Sequence, residues 1–444
     1  MLILPMALPI TMLLKNSYPD EYVELHKGVY MTIIVALPYL TGIFGAAIWG
    51  RFTDHYGRRP IMLLSLTGSF VSMLLCGTAT TYAQFVVGRG LSGFIDSSLF
   101  LCKAIMGDVT NAANQTKRFS DMMACFAFSL AVSPNIARLL DVGDPAMPAL
   151  LPCSVGCGLL LIAIILVYVY VPETLHPAKL SACDVTELET VAGDIKMYDD
   201  VDNVDFLWNR GSILSTVLYG MIALFLLGSE SLVPLITVET PEESGFGESK
   251  DEVILFFTVQ GIVYVCSQTF VYPTLSKRLG TIRSFRYGCV ATGLLIASGF
   301  TPTFLHEYGD WTVISMCILI GVRIIFISLA LTASIELVNN ATKPHNRGKL
   351  NAAAHGLASM TRASGCVSTG AVYDLCRRFH CVYVVFCALG AGMLVCAWLS
   401  LLLPNSVNRP IAPSDSLDRA VKTLRDSDTL KTPKPLDETH HGAV

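Results

Sequence analysis

The chain runs to 444 residues, 52% of them hydrophobic and 15% charged, with a formal net charge of −4. The apolar residues come in long blocks with short polar punctuation, a membrane composition that excludes an ordinary soluble domain. The small net charge is spread over loops and tail and has little bearing on partners, so no nucleic acid is expected; the apolar blocks make the lipid bilayer the expected partner.

A hydrocarbon core about 30 Å thick needs about 20 apolar helical residues to cross it, because no backbone polar group is left unpaired in lipid. The first block, Leu2 to Leu14, is short. It has no basic leader and no small-residue cleavage site before Lys15, so it reads as the second half of a helix whose beginning is missing rather than as a signal peptide. Eleven full spans follow: Gly28 to Gly50, Pro60 to Ala79, Tyr82 to Met106, Phe119 to Leu140, Pro148 to Val171, Ile213 to Val238, Val253 to Pro273, Phe285 to Pro302, Trp311 to Val338, Leu350 to Val372 and Val382 to Leu403. The expected fold is therefore an all-α polytopic membrane protein of twelve transmembrane helices, the first incomplete.

A polar stretch from Pro172 to Arg210 divides the spans into two sets of six, so residues 1–171 and 211–403 are predicted as two halves and 172–210 as a central linker. The segment 404–444 is rich in Pro, Ser, Thr and Asp and is predicted as a disordered tail. One side of the loops carries Arg51, Arg58, Arg59, Lys117, Arg118, Lys277, Arg278, Arg283, Lys343, Arg347 and Lys349; the other carries Lys15, Lys27, Lys250, Arg377 and Arg378. The positive-inside rule puts the first side, and by parity both chain ends, in the cytoplasm.

Fourteen cysteines are scattered through the spans without a CxxC pair or a histidine cluster. Cys153 and Cys157 share a helix face and read as small packing residues, so neither a metal nor a cofactor is expected. No Gly-Lys-Ser/Thr phosphate loop and no covalent active site are present, which argues against ATP hydrolysis and against an enzyme.

The most specific pattern is Gly50-x-x-x-Asp54-x-x-Gly57-Arg58-Arg59. Gly57 permits a tight turn, the arginines suit an anionic leaflet, and Asp54 can face the positive end of another helix. A weaker counterpart recurs at Pro273 to Ile282, where Gly280 answers to Gly57 and Lys277 to Asp54. Within the span 82–106, Arg89, Asp96 and Lys103 are seven residues apart, nearly two helical turns. They therefore form one stripe along one helix, with about 10 Å between neighbours. A charge facing lipid is heavily penalised, so each needs a partner, water or a ligand. Asp96 is the preferred proton-titrating carboxylate; a static charge network is the alternative. Ser129, Ser133 and Pro134 suit close helix packing and a bend. Arg138, Glu230, Arg323 and Arg362 are further intramembrane charges and candidate contacts along a substrate path, although Arg138 near a helix end also suits snorkelling. Cations outnumber carboxylates, which favours an anionic or zwitterionic organic solute.

The 50–59 pattern resembles the loop signature of the major facilitator superfamily, and Arg89 with Gly93 resembles the signature of drug:proton antiporters. Ser129-x-x-x-Ser133-Pro134-x-x-Ala137-Arg138 matches the second antiporter signature with its glycines replaced. Ser92 to Asp96, Lys103, Gly107-Asp108, Val171 to His176, Glu230 and Tyr272-Pro273 are similar to the zinc-induced facilitator-like, fungal multidrug and tetracycline:proton antiporter branch. The resemblance implies a gating motif at 50–59, with Asp54 against the helix that starts near Leu350 and Asn351. It also implies a monomeric, proton-coupled exporter or sequestering transporter of a small organic solute, drug-like or a metal chelate, in a plasma or vacuolar/lysosomal membrane. Alternatives on the same fold are an uptake symporter or facilitator, and a non-transporting sensor.

Overall fold

A computed structural model of the chain describes residues 7–110, 114–140, 147–174, 209–238, 245–247, 249–302, 304, 310–342, 347–379 and 381–408. Most of the expected linker and tail therefore lies outside the described residues. Fourteen α-helices are found among these residues: α1 (Ala7–Ser17), α2 (Asp20–Tyr56), α3 (Arg58–Gly77), α4 (Tyr82–Ile95), α5 (Ser98–Val109), α6 (Gln115–Leu139), α7 (Leu150–Tyr170), α8 (Arg210–Val238), α9 (Lys250–Cys266), α10 (Tyr272–Leu279), α11 (Thr281–Ala297), α12 (Asp310–Asn340), α13 (Arg347–Arg378) and α14 (Tyr383–Leu399). No strand is found among them.

Nine helical stretches of the described residues are long and apolar enough to cross a bilayer. Two of the eleven expected spans differ. The span 285–302 is an α-helix of only 17 residues, α11, continued by turns. The span 350–372 lies in α13, which is long but too polar to count by composition. The reason is its position: α13 packs against both α2 and α8, so much of its surface meets protein rather than lipid. The opposite case is α7, whose Leu159, Ile162, Ile165 and Leu166 are exposed and form a lipid-facing side.

Two expected spans are also reshaped. The span 82–106 breaks at Asp96 and Ser97 into α4 and α5, so Arg89, Asp96 and Lys103 do not share one continuous helix. The span 253–273 does not close at Tyr272-Pro273; it passes through a π-helical turn, Ser267–Val271, into α10. Pro273 sits in the first turn of α10, where its missing N–H leaves no interior bond broken.

The largest buried cluster joins α6 to α8 through α14, with Phe119, Met123 and Leu130 of α6 packed among residues such as Tyr219, Phe256 and Ile327. A smaller cluster seats the fully buried Leu13 and Leu14 of α1 against Phe85, Cys76 and Cys153. Of the helix pairs that join residues before 171 to residues after 209, α2 with α13 and α6 with α9 are the most extensive. Gly50 of α2 lies against Ala352 of α13, and Ala131 of α6 lies against Gly261 of α9 so closely that a Cβ there would be 2.4 Å from the Ala131 nitrogen.

Candidate functional site

At the end of the bundle that carries Gly57, the chain turns from α2 into α3 with Gly57 at φ +104°, a conformation a side chain strains. The first N–H groups of α3 have no intrahelical partner, and Glu173, just after α7, accepts them: Oε1 from the Arg58 amide at 2.8 Å and Oε2 from the Arg59 amide at 3.1 Å. A Cβ at Gly57 would meet that carboxylate at 2.5 Å. Arg58 is fully buried and places Nε 3.3 Å from Asp108 Oδ2 at the end of α5. Arg347, at the start of α13, lies 3.7 Å from the other Asp108 oxygen and donates to the Gly107 carbonyl. Arg59 extends outward over the Tyr168 ring, 5.5 Å from its centroid. The side chain of Asp54 lies outside the described residues. What occupies the start of α13 is Asp108 through Arg347, and Asn351 donates to Asn339 of α12 at 2.9 Å.

The same end is closed by polar contacts between early and late parts of the chain. Gln115 of α6 donates to Asn340 of α12 at 2.8 Å, and Ser120 donates to the Gln268 carbonyl in the π turn. The turn frees that carbonyl from the regular ladder, which is why it accepts a side chain from another helix.

Deeper in the bundle, Lys103 of α5 is 3% exposed and donates through Nζ to the Tyr219 hydroxyl of α8, lying 4.4 Å from the centroid of that ring. Arg362 of α13 donates to the same hydroxyl at 3.3 Å. Two cations from two helices therefore meet on one neutral oxygen, and among the described residues neither has a carboxylate at ion-pair distance. Burying like charges side by side is unfavourable unless an anion joins them or the field is used.

The other intramembrane charges fall into different settings. Glu230 of α8 accepts from Arg323 of α12 at 2.9 Å and from Gln260 of α9 at 3.0 Å, all three buried. Each carboxylate oxygen has a partner, so the candidate path residues Glu230 and Arg323 meet as an ion pair within the later part of the chain, while the buried Arg323 Nε has no hydrogen-bond partner. Arg138 is not in the interior: it is more than half exposed and bridges to Asp251 at 2.8 Å across the far ends of α6 and α9. Asp96 is exposed at the α4–α5 break, where its Oδ1 accepts from the Ser98 amide at 3.1 Å and the Ser98 hydroxyl at 2.6 Å. It thereby serves the orphan donors at the start of α5. Arg89 is half-buried near Tyr39, Cys76 and Cys153, and its buried Nε has no hydrogen-bond partner.

Gly93 of α4 lies against the Pro38 backbone and Thr41 of α2. Ser129 is exposed and returns its hydroxyl to the Phe126 carbonyl, so it does not form the close helix contact expected of it. That contact is made by Ala131, two residues on and about 200° around the helix. Ser133 is half-buried, and Pro134 is buried inside α6. Tyr219 and Glu173 escaped sequence reasoning altogether. A tyrosine in an apolar run carries no local sign of function, whereas Glu173 stands in the quoted Val171 to His176 stretch, where a carboxylate just past a span was a usable signal.

The profile of the Major Facilitator Superfamily matches residues 3–335 and again 218–436. The chain belongs to the major facilitator superfamily. It is 23% identical over 395 residues to the efflux pump azaK of Aspergillus niger, covering 87% of this chain and 82% of that one. It is 22% identical over 361 residues to the class C tetracycline resistance protein of Escherichia coli, covering 81% and 83%. The solved structure of the human organic anion transporter MFSD10 (TETRAN) superposes with a TM-score of 0.65 at 16% identity, over 90% of this chain and 97% of that one. This chain is accordingly a multi-pass membrane transporter of that superfamily and not an enzyme, and its fold is the superfamily's helical bundle.

Proposed function

We propose that this transporter exports or sequesters an organic anion or zwitterion in exchange for protons by alternating access, as a monomer with its substrate held between residues 1–171 and 211–403. The observation that carries the substrate class is the convergence of Lys103 and Arg362 on the Tyr219 hydroxyl with no carboxylate among the described residues to neutralise them. The three side chains come from α5, α8 and α13, which belong to both halves, as a midplane site shared by two moving bodies requires. An incoming carboxylate or sulfonate gains two charge-assisted bonds there. The similarity to the efflux pump azaK and to the organic anion transporter MFSD10 supports the same direction and class.

Asp96 is the coupling carboxylate in this scheme. It lies at a helix break where its bonds to Ser98 are lost at little cost, since water reaches it. The positive-inside rule, applied to the basic loops, favours a cytoplasmic Gly57 end, and in this scheme the arrangement described is closed toward the cytoplasm. Arg58, Asp108, Arg347 and Glu173 form the contacts that must part when that side opens.

Proteoliposomes containing a pH-sensitive dye, challenged with organic anions, zwitterions and metal chelates, test the scheme. Substrate-dependent proton flux is expected, abolished by Asp96→Asn, with anion affinity weakened by Lys103→Met and Arg362→Met. Anion transport unchanged in both cation variants would overturn the substrate class; solute movement without protons would overturn the exchange.

A further inference from the structure

The turn at Gly280 repeats the turn at Gly57: φ is +81° at one and +104° at the other, and each joins the end of one span to the start of the next. The residue after Gly57 is Arg58, which reaches Asp108 at the end of α5. The residue after Gly280 is Thr281, whose hydroxyl donates to Glu336 near the end of α12 at 3.2 Å. The carboxylate has kept its place in the second half of the repeat and the cation has been replaced by a hydroxyl.

Glu336 is 1% exposed. Its Oε2 takes a second bond from Thr116 of α6 at 3.4 Å, which crosses from the late part of the chain to the early part. Its Oε1 is buried with no partner, and the hydroxyl of Tyr272, on α10, faces the same carboxyl. The charged groups on the helices around it are all directed elsewhere. Lys117, Arg118 and Asp121 of α6 are exposed, as are Lys277 and Arg278 of α10 and Arg283 of α11. Arg286 of α11 turns to Ser400, Asp108 of α5 is held by Arg58 and Arg347, and Lys103 of α5 is on Tyr219. On α13, Arg347 reaches Asp108 and Lys349 is exposed; on α8, Arg210 is exposed and Glu230 is paired with Arg323. The carboxylates of α9, Asp251 and Glu252, lie at the opposite end of the bundle. Among the described residues an ionised carboxylate here has only neutral donors, and the desolvation penalty falls on it.

We propose that Glu336 is a proton-binding site that locks the Gly57 end shut when protonated and favours its opening when the proton is lost. Resting on the alternating-access transport proposed above, it adds a second titrating group to that scheme, distinct from Asp96. The neutral acid fits the buried side of the contact with the half-buried Thr116; separation of the halves hydrates the carboxyl and releases its proton. The sign follows from linkage: low pH holds the end closed, and each unit of rising pH shifts the balance toward open by up to about tenfold for one proton.

The test uses the full-length protein in lipid nanodiscs without substrate, titrated with pH by infrared difference spectroscopy. In parallel, the distance between fluorophores at the exposed positions 56 and 277 is followed. Wild type is expected to show a protonated carboxylic acid band that Glu336→Gln removes, and a distance that lengthens as pH rises. Glu336→Gln should stay closed across the range. Thr281→Arg, which restores the cation of the first half, should remove the band and hold the end closed at every pH. A band or a pH-dependent distance that persists unchanged in Glu336→Gln overturns the proposal; if that variant does not fold, persistence in Thr281→Arg does the same. Because no substrate is present, a failure of proton exchange at Asp96 leaves the Glu336 band intact, and the two proposals fail separately.

Discussion

Two pairs of charged groups deep in the bundle, buried except for the half-buried Arg362, resolve their electrostatics in opposite ways. Glu230 and Arg323 neutralise each other, with Gln260 occupying the remaining carboxylate oxygen. Lys103 and Arg362 share a neutral phenol and nothing else of opposite sign among the described residues. The first arrangement is charge-neutral without a ligand and holds α8, α9 and α12 together. The second is unfinished, which is the property expected of a group that waits for an anion.

Breaking the neutral pair has the largest expected effect. Arg323→Ala strands the Glu230 charge in a dry setting and should cost about 3–5 kcal/mol, read as a drop in the detergent-solubilised unfolding midpoint. The double variant Glu230→Gln, Arg323→Met should recover most of that loss; no recovery would mean the pair is not an isolated unit. At the unfinished pair the effect should move from stability to affinity. Tyr219→Phe removes the shared acceptor and should lower stability by only about 1 kcal/mol, since the cations gain water or ligand instead. Arg362→Met should weaken anion binding by about tenfold or more, corresponding to a lost charge-assisted bond of about 1.5–3 kcal/mol. Equal losses of stability in Arg323→Ala and Arg362→Met would erase the distinction between the two pairs.

A smaller effect is expected at the α3 terminus. Glu173→Gln keeps the shape and removes the charge facing the helix dipole, worth about 0.3–1 kcal/mol, detectable as faster trypsin cleavage near Arg58 and Arg59. The smallest is Arg138→Gln, because its ion pair with Asp251 is exposed at both partners, and a change under about 1 kcal/mol is expected. A large loss of transport in that variant would show that the α6–α9 end does more than snorkel.

The helical blocks and the turn at Gly57 were legible because both depend on residues adjacent in the chain. Span length follows from hydropathy, and positive φ follows from a glycine between a polar turn and a new helix. The second turn was visible as the echo of Gly57 at Gly280. The break at Asp96 was not, since Arg89 to Lys103 has a helix-compatible pattern and no proline; Asp96 and Ser97 offer local side-chain bonds that compete with the helix, a contest settled by packing. The placement of Ser129 was misread for a related reason: small residues four apart mark a possible contact face, but Ala131 and Gly261 show which face was used.

The sequence by itself determined that this protein is a helical membrane bundle with a signature turn at 57 and more cations than carboxylates along its expected spans. Only the tertiary structure decided which of those charges were already answered. Glu173 reaches the α3 amides from 115 residues away, Arg323 finds Glu230 across 93, and Lys103 finds Tyr219 across 116. Hydropathy and periodicity are properties of neighbours along the chain, whereas neutralising a buried charge depends on the helix face packed opposite it.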